Sequence, residues 1–600
     1  MGKSSKEPLH NNGPKAGSEE HQRKPTVLWL VLFLVILVAV YLVYNRINDN
    51  REDNRSVQTE ASGTGQDPDF AEITAKLLNK SQEFKKATPE SQVALEKELV
   101  DLAMLRRDLM TDALAKHPKS VSRAAIPPGL AKQQPSEISR FIEEQSTVEG
   151  VMEVSMTDYD DKDSGKNPLE YTITDSKSKK KYQIHTQETL NKVTTGSKVK
   201  VSGVVLDSNI VPLDESSIVV TSQVTTAAAT QKKVAVILIN FQSDTTTYET
   251  QDTARAKMFA DPDSVNKFYQ ESSYGQIELV GHLRQDGDVF GYYTVPYNND
   301  NCDDYQLWSN SAQTIAAADG FNYNNYNTIL YLFADRGFCA WSGRATVGGM
   351  PGRAWIATDS LNKYVASHEF GHTLGMLHAS NLKCTDSAGA VVAISDTCIR
   401  NEYGDPLDVM GASLQSHSNN HFKGLLTPYA STNWIPMANV FTVPSGQNGT
   451  YTLVPIEQPL TGIQTLRIPK NYSIVSGNAP TPGYYYLEYR QPIGFDTYPN
   501  YPGMLNGVFV RLARGFSESD YSNILDATPE TPSNFRDGAI TPGRTFTDPE
   551  AGITITTNSI SPAGAVVSIT STPMPCSRRN PSLVTRRWRR LRRASTLKRR

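Results

Sequence analysis

The spacing of apolar residues changes character several times along the chain. Residues 27–44 (VLWLVLFLVILVAVYLVY) form 18 uncharged, overwhelmingly apolar positions with Trp29, Tyr41 and Tyr44 near the ends. A run of that length without a polar face predicts a helix across a ~30 Å hydrocarbon layer, with aromatic residues at its interfaces. After a polar stretch, Val93, Leu95, Leu99, Leu102, Leu105, Leu109 and Leu114 recur at helical spacing among charges, predicting a helical stalk. Pro127, Pro128 and Pro135 end it. From 147 to 222 the period becomes two (STVEGVMEVSM, LEYTITD, KKYQIHT, SKVKVSGVVLD, SSIVVTSQ), predicting short strands of a small five-stranded barrel. A small-residue linker at 221–231 (TSQVTTAAATQ) precedes KVAVILINFQ, whose continuous apolar run predicts a buried strand. Residues 438–573 return to short β segments with regular turns, predicting a β-sandwich-like region.

Charge changes the picture at one end. The net charge of −3 conceals eleven Lys/Arg and no acid in residues 576–600, leaving 49 basic against 63 acidic residues in the rest, net −14. An acidic body speaks against nucleic acid as a partner of the folded domains. The tail reads as solvated and disordered, with acidic surfaces as its natural contacts.

The chemistry is concentrated at 368–378, HEFGHTLGMLH. On a helix His368 and His372 stand at i and i+4 and project from one face, so two imidazoles can share one metal ion. Glu369 lies beside the first of them, placed to take a proton from water. Gly375 lets the chain leave the helix at φ > 0, so that His378 can return as a third ligand. Three protein ligands leave one position open, the pattern of a catalytic rather than a structural zinc. Ser360 offers a start for the helix. Met410, in YGDPLDVMG at 403–411, stands where a Met-containing turn would floor such a site.

These motifs together resemble the metzincin zinc endopeptidases, and among them the lysin-type, gametolysin-like family. The resemblance runs from about Lys233 to Thr570 and includes KVAVILINFQ, VNKFYQESSYGQIELVG, FCAWSGRATVGGMPGRAWIA, the zinc helix, YGDPLDVMG and YYYLEYRQ. It implies Zn2+ bound by His368, His372 and His378, Glu369 as general base, Met410 as the Met-turn, and a protein or peptide substrate cleaved by Glu-assisted attack of zinc-bound water. It also implies cell-wall or matrix glycoproteins as the substrate class. Ala379 and Ala412 depart from other metzincins; with Ala at 412, no Tyr stands two residues after the Met. The 348–356 segment would suit an edge strand for an extended peptide.

The expected architecture is therefore α+β. It comprises a cytoplasmic tail (1–26), transmembrane helix (27–44), linker and stalk (45–145) and small β-barrel-like domain, a candidate pro-domain (146–224). A metzincin-type catalytic domain follows (232–437), a twisted mixed sheet with the active-site helix. A β-sandwich-like domain (438–573) and the basic tail (574–600) complete it. The catalytic domain is expected outside the cell membrane, held by one span. Cys302, Cys339, Cys384 and Cys398 lie in the catalytic region and suit disulfides in an oxidising compartment. Three pairings are open, with Cys384–Cys398 and Cys302–Cys339 the natural one. No Cys precedes 302, so if residues 45–230 hold the enzyme latent, a ligand other than thiol, or plain occlusion, must do it. The rival from another class is a catalytically silent surface adhesion protein; the intact Glu369 speaks against it.

Overall fold

The computed structural model describes residues 70–571, apart from 161–166, 223–230, 336, 413–414, 427–433, 473–480, 499–503 and 532–534. Helices Ala71–Lys86 and Pro89–Ala113 fold back on each other. Arg106, buried between them and the following segment, makes a paired contact with Glu143 at 2.6 and 2.8 Å. That bidentate geometry offsets the cost of burying both charges.

The strand β1 (Glu144–Tyr159) is 16 residues long and serves two bodies. Its first half pairs with β4 (Lys198–Leu206) and its middle with β2 (Leu169–Asp175). The ring closes through β3 (Lys181–Ile184) and β5 (Asn209–Pro212), which returns to β4, giving a closed five-stranded barrel. Gly150 sits where β1 passes from one partner to the other; a Cβ there would collide with the carbonyl of Thr174. β6 (Ile218–Ser222) extends β4.

The last residues of β1 leave the barrel and join a second set of strands. Around β7 (Gln231–Phe241) lie β8 (Glu278–Val280), β9 (Asp288–Val295) and β10 (Thr328–Phe333), all parallel to it. β11 (Trp341–Thr346) and β12 (Gly352–Ala357) follow beyond β10. β11 is where β1 attaches, antiparallel. Val236, Leu238, Leu330, Leu332 and Ile356 face the helix Lys363–Thr373 in one core, and the opposite face is closed by Trp308, Phe333 and Trp355.

The expected set of separate α+β modules is corrected here. The fold is mixed, and the barrel and the strands around β7 form one continuous 12-stranded sheet because β1 is long enough to reach both. The C-terminal region is likewise not a self-contained sandwich. Its eight-stranded sheet takes in β13 (Ala379–Thr385), the strand leaving the third histidine, which pairs parallel with Ser522–Ile524. Strands Gly449–Leu453, Thr545–Asp548, Ile553–Ser561 and Gly564–Ser571 make a separate four-stranded sheet over the same core. Pairing between segments so far apart leaves no trace in local periodicity.

The expected transmembrane helix and the membrane localisation are also corrected. No helix among the described residues is long and apolar enough to cross a membrane. The longest, Pro89–Ala113, carries charged residues throughout its length. Segment 27–44 and the basic tail lie outside the described residues.

Candidate metal centre

The helix Lys363–Thr373 starts at Asn362, not at Ser360. The Asn362 side chain accepts from the amides of Tyr364 and Val365, at 3.0 and 3.2 Å, the N-cap role suited to a short polar side chain. The helix ends as expected: Gly375 takes φ +96°, and the amides of Gly375 and Met376 return to the carbonyls of His372 and Gly371 at 2.8 and 3.2 Å. This reversal carries His378 back over the helix. The floor is laid by the Met-turn. Asp408 accepts from the Met410 amide at 2.7 Å, and a Cβ on Gly371 would collide with the Met410 sulfur. Helix and turn thus meet at the glycine of the motif.

His368, His372 and His378 converge, with ring centroids 4.8 to 5.3 Å apart, and all three are buried. Each Nδ1 is held from behind: His368 by the Val409 carbonyl at 2.8 Å, His372 by the Met376 carbonyl at 2.8 Å, and His378 by Glu402 at 2.6 Å. A carbonyl or carboxylate oxygen accepts an N–H, so these contacts place a proton on each Nδ1 and turn each Nε2 inward, with a lone pair at His368 and His372 and an N–H donated to Asp158 at His378.

A residue that sequence reasoning missed faces them. Asp158, near the end of β1, puts Oδ2 at 3.1 Å from His368 Nε2. Its Oδ1 lies 2.8 Å from His378 Nε2 and 3.9 Å from His372 Nε2. The Tyr403 hydroxyl donates to the same Oδ1 at 2.9 Å. Asp158, His368, His372 and His378 are a group that could hold a metal ion. His368 Nε2 and His372 Nε2 have no hydrogen-bond partner among the described residues. Their contacts to Asp158 are close but do not point at it, as expected when donor atoms are aimed at a common centre. The nitrogen and oxygen donors, their preset tautomers and the orphaned lone pairs all fit a tetrahedral cation.

Glu369 lies behind this cluster, fully buried, with neither oxygen partnered among the described residues. Its space is made by β11: a Cβ on Gly343 would collide with Glu369 Oε1. Burial and, second, the charge of Asp158 push the Glu369 carboxyl well above its usual range. Burial alone would also raise Asp158, but the charge of His368 and the close imidazole nitrogens of all three histidines outweigh it and hold it well below. Burial lowers His372 to about 4. It opposes protonation of His378 too, yet Asp158 and Glu402 lift that ring to about 9. Loading a metal would therefore release a proton from His378.

The predicted His368, His372, His378, Glu369 and Met410 thus lie in one place. The cysteines are joined as Cys302–Cys339 and Cys384–Cys398, the second tying β13 to the strand Thr397–Asn401 that leads to Glu402. Asp158 carries no signal of its own, since TDYDDKDSG reads as a solvated acidic turn. Glu402 directly precedes the Met-turn motif and Tyr403 is its first residue, held at a positive φ of 58°.

No protein-family model matches the chain, and no curated protein matches it in sequence. One solved structure, described as the structure of a chaperone–substrate complex, aligns over 40% of this chain and 34% of its own, at 12% identity and a TM-score of 0.19. The chain spans about a third of that structure's length, and so low a likeness carries no argument.

Proposed function

We propose that the chain is a zinc-dependent endopeptidase acting on extended polypeptide. The observation that carries this is Glu369, a buried carboxyl group with both oxygens unpartnered among the described residues, beside three convergent imidazoles and in a gap that only a glycine at 343 leaves open. A structural metal site has no use for such a group, and an unpaired buried carboxylate costs stability. In a hydrolase it has one: to take a proton from the attacking water and return it to the leaving amine. Zn2+ bound by the histidines would supply Lewis acidity and a strong nucleophile near neutral pH. The cradle of Val409, Met376 and Glu402 fixes the imidazoles so that the site reorganises little during reaction. The substrate class rests on the sheet: β11 borders the cluster and, on the side away from β12, takes β1 as an antiparallel strand, the mode in which an extended peptide adds to an edge.

One observation favours a second reading. Asp158 completes four ligands, which is the composition of a closed, structural site. The two are separated in an Asp158→Ala background by comparing Glu369 with Glu369→Gln. A hydrolase keeps its zinc content and loses peptide hydrolysis by about 10²–10⁴-fold. Equal hydrolysis by the two proteins, or none by either, overturns the proposal.

A further inference from the structure

We propose that the N-terminal barrel is a built-in inhibitor of the metal centre, with Asp158 as a removable fourth ligand and Ser155–Tyr159 lying along β11 in place of a substrate. This rests on the hydrolase reading above and adds how that site is kept closed.

The placement is specific. Asp158 belongs to β1, 210 positions before His368 in sequence, and is brought there by pairing. Ser155, Met156, Thr157 and Asp158 face Thr346, Ala345, Arg344 and Gly343 in antiparallel register, which shifts after Asp158. Such an irregularity re-aims a side chain. The residue opposite Asp158 is therefore Gly343, the same glycine that makes room for Glu369. One strand thus covers the edge where a peptide would add, puts a carboxylate among the ligand nitrogens and lies against the general base.

The plug is held on both sides. Tyr403, kept at positive φ, clamps Oδ1 with its hydroxyl. Along the strand Arg344 bonds Ser155 at 3.2 Å and pairs with Glu170, while Arg353 pairs with Glu153. These ion pairs bridge the barrel and the catalytic strands. The barrel core continues into Val347, Leu377 and Tyr521, which belong to the catalytic and C-terminal parts. A tethered carboxylate competes at an effective concentration of about millimolar or more, against any peptide in trans. Withdrawal of β1 would leave an unpaired β11 edge and an open ligand position together, the two features a substrate strand needs.

The test loads the full-length protein with Co2+ and titrates azide, following the visible cobalt bands. The expected result is no spectral change in wild type and a clear azide-dependent change in Asp158→Ala, with metal content unchanged. Tyr403→Phe, which keeps the ring and loses only the clamp, should respond at intermediate azide concentrations. If the plug leaves the site open about 1% of the time, Asp158→Ala raises hydrolysis of a peptide about 100-fold. Azide shifting the wild-type bands as readily as those of the variants overturns the proposal without needing any variant to fold. So does a folded Asp158→Ala that no longer holds cobalt. A variant that opens to azide yet hydrolyses nothing supports the plug and sinks the peptidase instead.

Discussion

Two fully buried clusters of charge lie on either side of the Met-turn, and they are built on opposite principles. On one side Arg490 donates to Glu488 and Asp496 at 2.9 and 2.8 Å, Arg511 donates to Glu488 at 2.8 Å and pairs with Asp405, and the Asn420 amide takes the other oxygen of Glu488 at 2.9 Å. Each of these carboxylates is matched to a guanidinium. On the other side His368, His372 and Glu369 keep unpartnered atoms among the described residues. A satisfied buried network fixes how two regions dock. An unsatisfied one whose atoms converge is a site, because its partner comes from outside the chain.

The sharpest way to break this contrast is Arg490→Met. It leaves Glu488 and Asp496 short of a counter-charge in the interior and should cost about 3–5 kcal/mol in urea unfolding. Metal content per folded molecule should stay unchanged, since no ligand contacts Arg490. If metal were lost while stability held, the division between docking network and site would be wrong.

The contrast also marks what the sequence could convey. The three histidines, Glu369 and Gly375 are legible because helix geometry and the φ > 0 reversal act within eleven residues. The barrel strands show in their period of two. Asp158 is not legible: its role depends on β1 pairing with β11, and that register follows from two distant edges meeting. The same holds for β13, whose parallel pairing with Ser522–Ile524 draws the third-ligand strand into the C-terminal sheet. With Ala412 after the Met-turn there is no tyrosine at the familiar spacing. A hydroxyl that does reach the cluster is that of Tyr403, from seven residues before Met410, which donates to Asp158.

His421 sharpens the rule, since an unpartnered atom alone does not make a site. Both of its ring nitrogens lack partners among the described residues, but its surroundings are the rings of Tyr486 and Phe516, at 5.1 and 6.2 Å. Nothing converges there. Burial, helped by Arg467, lowers its pKa to about 3. The folded value is depressed, so the stability it reflects is fully present above the unfolded value of about 6.5 and is lost as pH falls towards 3. Between pH 7.5 and pH 4.5 this group alone should cost about 3 kcal/mol. His421→Phe fits the aromatic pocket and should remove that loss. The check is the pH dependence of the stability difference between the two proteins; a difference that stays constant from 7.5 to 4.5 would mean the ring is protonated when folded.

The smallest expected effect lies where the two principles meet. Glu402 is a partner of His378, at 2.6 Å, rather than a ligand, so it behaves as part of the satisfied side while serving the unsatisfied one. Its charge fixes the Nδ1–H tautomer of His378 and raises the basicity of Nε2. Glu402→Gln keeps the shape and an acceptor oxygen but drops the charge. Metal affinity, measured by competition with a chelator, should therefore fall about 10–100-fold. Glu402 remains partly open to solvent, so its neutralisation leaves no stranded ion, and unfolding stability of the metal-free protein should move much less than in Arg490→Met. Loss of stability with unchanged metal affinity would assign Glu402 to the docking network. Loss of affinity with unchanged stability is what separates a residue that orients a ligand from one that holds two sheets together.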